Sequence, residues 1–310
     1  MHLNRLSWGA LCVVCAGCNG LDEDTVVEPD ARAIERSSSS TSSAYAGASQ
    51  TEPLRLLHVH AVEPASDVGA ARRALAEFST ADVGWVELHH RIGLSLSMSA
   101  DRERATSLDA ALAELEAAVS VPAADQYPHL DELLFDSAVL SLQAGDEQRG
   151  QERLLRLIRE QPTSPLIPNV YATFADHLFD AGEWEDARML YAKLQDWNMP
   201  EATAYGAYRT GMCHLVSGGD VDALGGFFRA ARLAGELDGG WGRRLAEVAL
   251  NEAIEAYVLG GDPSEARQLF GNIGPHVDLD TVLDRLADAY RDAGDNDGAA
   301  MIDEARANPA

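Results

Sequence analysis

Residues 181–194 read Ala-Gly-Glu-Trp-Glu-Asp-Ala-Arg-Met-Leu-Tyr-Ala-Lys-Leu. A small residue, a glycine and an acid make a turn signal. Behind it Ala187, Leu190, Tyr191 and Leu194 fall at i, i+3, i+4 and i+7, which lines one face of an α-helix. The glycine can close a preceding helix in the left-handed conformation, which costs other residues about 1–2 kcal/mol. The acid then stands in the first turn of the next helix, against the positive end of its dipole. The stretch predicts helix, turn, helix.

The signal recurs at Ala144-Gly145-Asp146, Gly218-Gly219-Asp220, Gly260-Gly261-Asp262 and Ala293-Gly294-Asp295. With Gly145, Gly182, Gly219, Gly261 and Gly294 as turn glycines, the spacings are 37, 37, 42 and 33 residues. Counted +5, +8, +9 and +12 from the glycine, the third unit gives Leu224, Phe227, Phe228 and Ala231, and the fourth Ala266, Leu269, Phe270 and Ile273. The outer units are more polar, with Gly150 and Arg153 in the first and Asp303 and Arg306 in the last, as expected of repeats with no further neighbour. Apolar-periodic stretches precede each turn at 130–143, 170–180, 202–217, 245–259 and 279–292. Pro165, Pro200, Pro275 and Pro309 fall near unit ends, where proline stops a helix. Residues 70–78, 85–98 and 108–119 also have helical spacing, 100–105 suit one more eroded turn, and 54–62 suit a strand or a short helix equally. The expected fold is all-α, an α-hairpin solenoid of five to six degenerate repeats, with an N-terminal helical region over 52–126 and the repeats over 127–310.

Gly182-Glu183-Trp184-Glu185-Asp186-Ala187 and Gly261-Asp262-Pro263-Ser264-Glu265-Ala266 resemble the turn and second-helix start of the tetratricopeptide repeat family, with Pro200 and Pro309 near its unit-ending proline. The resemblance covers roughly 130–309. It departs from the family in unit lengths other than about 34 and in Leu224 and Gly150 at the small position. In that family the first helix of each hairpin lines a concave groove, at −13, −10, −6, −3 and −2 from the turn glycine. Carried onto this chain, those positions include Glu132, Phe135, Asn169, Asp176, Phe179, Asp180, Arg209, Asn251, Glu255, Asp284 and Asp288. Acids outnumber arginines. The resemblance therefore implies a non-catalytic scaffold or assembly factor that holds a neutral or basic protein or peptide, with Phe135 and Phe179 as apolar anchors.

Twenty-four basic residues against fifty acidic ones leave a formal charge of −26. Nucleic acid and anionic lipid head groups would repel such a chain. Three of four cysteines lie in the first eighteen residues. Cys213 alone can form neither an internal disulfide nor a four-ligand zinc site, so it is read as an inert buried thiol.

Residues 1–18 carry Arg5, an apolar run over 6–16 and then Gly17-Cys18. This is a secretory signal pattern, and the run is too short for a spanning helix of about twenty residues. Ala16-Gly17-Cys18 resembles a bacterial lipoprotein signal, although Cys15 stands where leucine is commonest. The resemblance implies a signal peptide over 1–17, lipid on Cys18 and a tether over 18–51. Asn19 in place of an aspartate implies the periplasmic face of the outer membrane; ordinary cleavage to a soluble periplasmic protein is the alternative. Membrane contact would run through the lipid anchor only. The serine-rich stretch 37–43 offers too little apolar surface to fold.

An enzymatic alternative rests on His58-Val59-His60. On a strand these histidines share a face and could begin the site of a metal-dependent hydrolase. That chemistry needs further ligands on later strands, and the rest of the chain reads as helix. His89 and His90 are about 100° apart on a helix and do not converge. Gly-x-Ser-x-Gly, His-Glu-x-x-His and phosphate-loop patterns do not occur, and no cofactor is implied. A self-associating envelope component is a third reading.

Overall fold

The computed structural model describes residues 55–56, 60–98 and 104–307. Chain contacts divide the protein between Ala48 and Ser49, and everything described belongs to the second part. The signal, Cys18, the tether, His58 and residues 99–103 lie outside the described residues.

Among the described residues the fold is all-helical, with no strand. Helices α1 (Val68–Ala74), α2 (Val83–Ser97) and α3 (Arg104–Val119) come first. Then follow α4 (Leu130–Gln143), α5 (Glu147–Glu160), α6 (Ile167–Asp180), α7 (Trp184–Lys193), α8 (Pro200–Val216) and α9 (Asp220–Gly235). The chain continues through α10 (Gly240–Gly260), α11 (Ala266–Gly271), α12 (Leu279–Asp292) and α13 (Asn296–Ala307). Sequential helices pair as α2 with α3, α4 with α5, α6 with α7, α8 with α9 and α12 with α13; the first four pairs pack each on the next, and α10 joins α9 to α12.

Four turns share one hydrogen-bond pattern. In the first, Gly145 N–H donates to Leu142 O and Asp146 N–H to Ser141 O, both across a left-handed Gly145. These bonds satisfy carbonyls that a helix end otherwise leaves open. Gly182, Gly218 and Gly294 repeat the geometry. Asp146 and Asp295 then cap the following helix by accepting from Arg149 and Gly298 N–H.

Two expectations are corrected. The third turn hinges on Gly218, with φ +79°, rather than on Gly219. Counting from Gly218 moves the small position from the half-buried Leu224 to the fully buried Ala223, and brings Gly226, Phe227 and Ala230 onto the packed face. The reason is steric: a Cβ on Gly226 would stand 2.7 Å from the Gly211 Cα of α8, so this face must carry small residues. The fourth turn has no left-handed glycine; Gly261 sits at φ −79° and ψ 150°. Pro263 lacks an N–H and opens a 3₁₀ turn over Pro263–Glu265, which leaves α11 only six residues long. Ala266, Phe270 and Ile273 are buried nonetheless. Pro200 opens α8 at the first helical position, where its missing N–H is no loss.

The 54–62 ambiguity resolves as neither reading where it is described: residues 55, 56 and 60 have no regular structure.

Candidate functional site: the first-helix face and the segment across it

With the register set by the left-handed glycines, one stripe on each first helix recurs. Positions −13, −10, −9 and −6 are Glu132, Phe135, Asp136 and Val139 on α4, and Asn169, Ala172, Thr173 and Asp176 on α6. The corresponding start of the α8 stripe is Tyr205, Tyr208 and Arg209. The spacing is i, i+3, i+4, i+7, so each stripe is one helix face. This face is not empty. Residues 55, 56 and 60–65 lie across it.

Their contacts run against the order of the helices. Trp241 at the start of α10 donates its indole N–H to Arg55 O at 2.9 Å. The Arg55 guanidinium reaches Asp176 on α6 at 4.0 Å. Leu56 is buried, 7% exposed. The His60 ring lies 3.5 Å from Asp136 on α4. Ala61 and Val62 donate consecutive backbone N–H groups to the Glu132 carboxylate, at 3.0 and 3.2 Å to Oε2. Ala65 N–H then bonds Arg91 O on α2 at 3.0 Å, while Arg91 Nε–H donates to Glu63 O. Between segment and helices lies a cavity of about 230 Å³, lined by Leu56, Phe135, Asn169 and Thr173 among others.

The acids beneath the segment are buried and fully engaged. Asp136 accepts from His90 Nε2 at 3.0 Å, and His90, with no exposed surface, meets Tyr127 Oη through Nδ1 at 3.1 Å. Nε2–H donates to Asp136, and Nδ1 has the Tyr127 hydroxyl as its partner, so both ring nitrogens are engaged. Burial works to raise the Asp136 carboxyl, but the bonds from His60 and His90 outweigh it and hold it below the usual range. His60 is held above its usual value, first by its bond to Asp136 and then by the charges of Asp136 and Glu132, against partial burial. Asp176 accepts from Tyr205 Oη at 2.9 Å, from Tyr191 Oη, and from Arg209 at 3.2 Å. Arg209 also lies over the Phe179 ring, 4.3 Å from its centroid. Burial drives the Tyr205 hydroxyl well above its usual value, so it stays a donor.

The predicted groove residues therefore divide. Glu132, Phe135, Asn169 and Asp176 are buried, and the first and last of these hold the segment or the charges beneath it. Phe179 is covered by Arg209, and Asp180 is exposed. Asn251 accepts from Arg285, Glu255 is exposed, and Asp284 and Asp288 are exposed beside Arg306 and Arg291. The sequence reading missed Asp136, Tyr205, Arg55 and Trp241. Asp136 and Arg209 share position −9, and that position becomes visible only with Gly218 as the third turn glycine.

Neither the family models nor the curated proteins contain a match to this chain. Among the described residues no group of three or more His, Cys, Asp or Glu side chains could hold a metal ion, and His58 lies outside them. Among them, no helix is long and apolar enough to cross a membrane. Cys213 is buried, and burial pushes its thiol up to about 12, far from the thiolate a nucleophile needs.

Proposed function

We propose that this chain is a non-catalytic interaction scaffold. Its hairpins form a degenerate solenoid of tetratricopeptide type, and its first-helix face takes a non-helical, neutral-to-basic segment of a protein partner. The observation that carries the reading is the face's own occupancy. An acid stripe accepts two successive backbone N–H groups at Glu132 and faces a guanidinium at Asp176. Backbone donors and one cation are what a carboxylate-lined face can recognise without selecting one sequence.

The partner would be met at the cell envelope, with the protein held by lipid on Cys18 to the periplasmic face of the outer membrane. Several acyl chains, at about 0.8 kcal/mol per buried CH₂, would make such an anchor stable. Support for this lies in the Ala16-Gly17-Cys18 pattern. The check is phase partitioning: the native chain enters detergent and a Cys18→Ser variant stays aqueous, whereas equal partitioning would leave the soluble alternative.

The binding reading is tested on the exposed half of the face. Combined Asp180→Lys, Glu255→Lys, Asp284→Lys and Asp288→Lys substitutions change charges that are solvent-exposed and not buried. Binding of a labelled peptide carrying arginines and leucines should weaken at least tenfold and lose its salt dependence. Unchanged binding would refute the groove.

A further inference from the structure

The non-helical stretch of residues 55, 56 and 60–62 is joined to α1 by only a few residues, yet its contacts reach α4, α6 and α10. Nothing in local chain geometry requires this course. Each contact also has a defined chemistry. A cation faces Asp176, an apolar side chain is buried next to it, an imidazole meets Asp136, and two adjacent N–H donors meet Glu132. Burying Leu56 and Val62 removes apolar surface from water, and the charge-assisted bonds at Glu132 fix the register.

We propose that this stretch is an internal stand-in for the partner. The face is an autoinhibited peptide site, and its true ligand is a non-helical segment with the same order of groups: a cation, an apolar residue directly after it, and two consecutive non-proline residues six and seven positions on. The ligand lies with its N-terminal end toward α10 and its C-terminal end toward α2. The inference rests on the groove reading above and adds the ligand's pattern, its direction and the competition. A segment attached so close to its own site has an effective concentration on the order of mM. If its intrinsic dissociation constant is about 0.1 mM, it fills the face roughly ten to one, and a partner in trans meets that competition.

The test uses the full chain and a labelled peptide with the sequence of residues 52–65 as probe. A variant carrying Arg55→Ala and Leu56→Asp should bind it at least tenfold more tightly than the unaltered protein does. Trp241→Phe removes a donor that the segment and the probe would both use, so it should leave probe affinity within about twofold of the unaltered protein. A probe with proline at the position of Ala61 should bind the freed face at least tenfold more weakly. Equal affinity of freed and unaltered protein, with a circular-dichroism spectrum showing both folded, overturns the competition. Equal affinity of the proline probe overturns the register. If the arginine- and leucine-bearing peptide still binds at the exposed acids while the freed face takes no probe, this inference falls and the groove reading stands. If neither peptide binds any form, both fall.

Discussion

The first-helix face has two halves made from the same kinds of residue and used differently. Under the segment, Glu132, Asp136 and Asp176 are buried and each carboxylate has two or more partners. On α10 and α12, Glu255, Asp284 and Asp288 are exposed, and the last two meet arginines of their own neighbourhood. An acid is therefore not a binding residue by its place in a register. What covers it decides whether it is structural or available.

The sharpest way to break the contrast is to delete one acid from each half. Asp176→Ala strands Arg209 with its chief charge partner gone and should cost about 3–5 kcal/mol in chemical denaturation. Asp288→Ala, in a surface ion pair, should stay within about 0.5 kcal/mol. Similar losses would erase the distinction.

Glu252 sharpens it from the exposed half. Its side chain is largely buried, Oε2 has no hydrogen-bond partner, and desolvation aided by the Glu255 charge raises its pKa to about 7. An acid raised on folding holds its proton in the native state while the unfolded chain has lost it. The penalty builds between the ordinary carboxylate value near 4.5 and about 7, and is constant above. Glu252→Gln should therefore stabilise the protein by about 1–3 kcal/mol at pH 8 and by almost nothing at pH 4. A gain independent of pH would point to packing instead.

Two smaller effects belong to the covered half. Trp241→Phe should reduce stability by about 0.5–1.5 kcal/mol, the worth of one neutral hydrogen bond, if Arg55 is held as described. His60→Ala should cost most in mildly acid solution. A histidine raised on folding contributes fully below its unfolded value of about 6.5 and loses that contribution as pH rises through the higher native value. In more acid solution the contribution fades again as Asp136, itself held below the ordinary carboxylate value, takes up a proton. Because His60 is half-exposed, the difference between pH 6 and pH 8 should be no more than about 1 kcal/mol. A larger cost at pH 8 would reverse the sign and remove the His60–Asp136 pair from the account.

Much of the helical frame was legible. The stretch 130–143 matches α4 and 279–292 matches α12, because leucine and alanine periodicity meets a glycine stop at both. The third register was not, since Gly218 and Gly219 stand side by side and only backbone dihedrals separate them. Pro263 warned of a weak second helix in the fourth unit, but periodicity through Ile273 masked it. Covered acids could not be told from open ones in the sequence. Whether Glu132 is free depends on Ala61 and Val62, seventy-one and seventy residues away, and no local pattern reports such a contact.

The central claim is that the chain's own backbone occupies the face at Glu132. Amide hydrogen exchange of Ala61 and Val62, resolved by NMR in the full chain, tests it most directly. Both amides should be protected, and Glu132→Ala should release both while α12 amides keep their protection. Exchange of Ala61 and Val62 at free-chain rates in the unaltered protein would contradict the account.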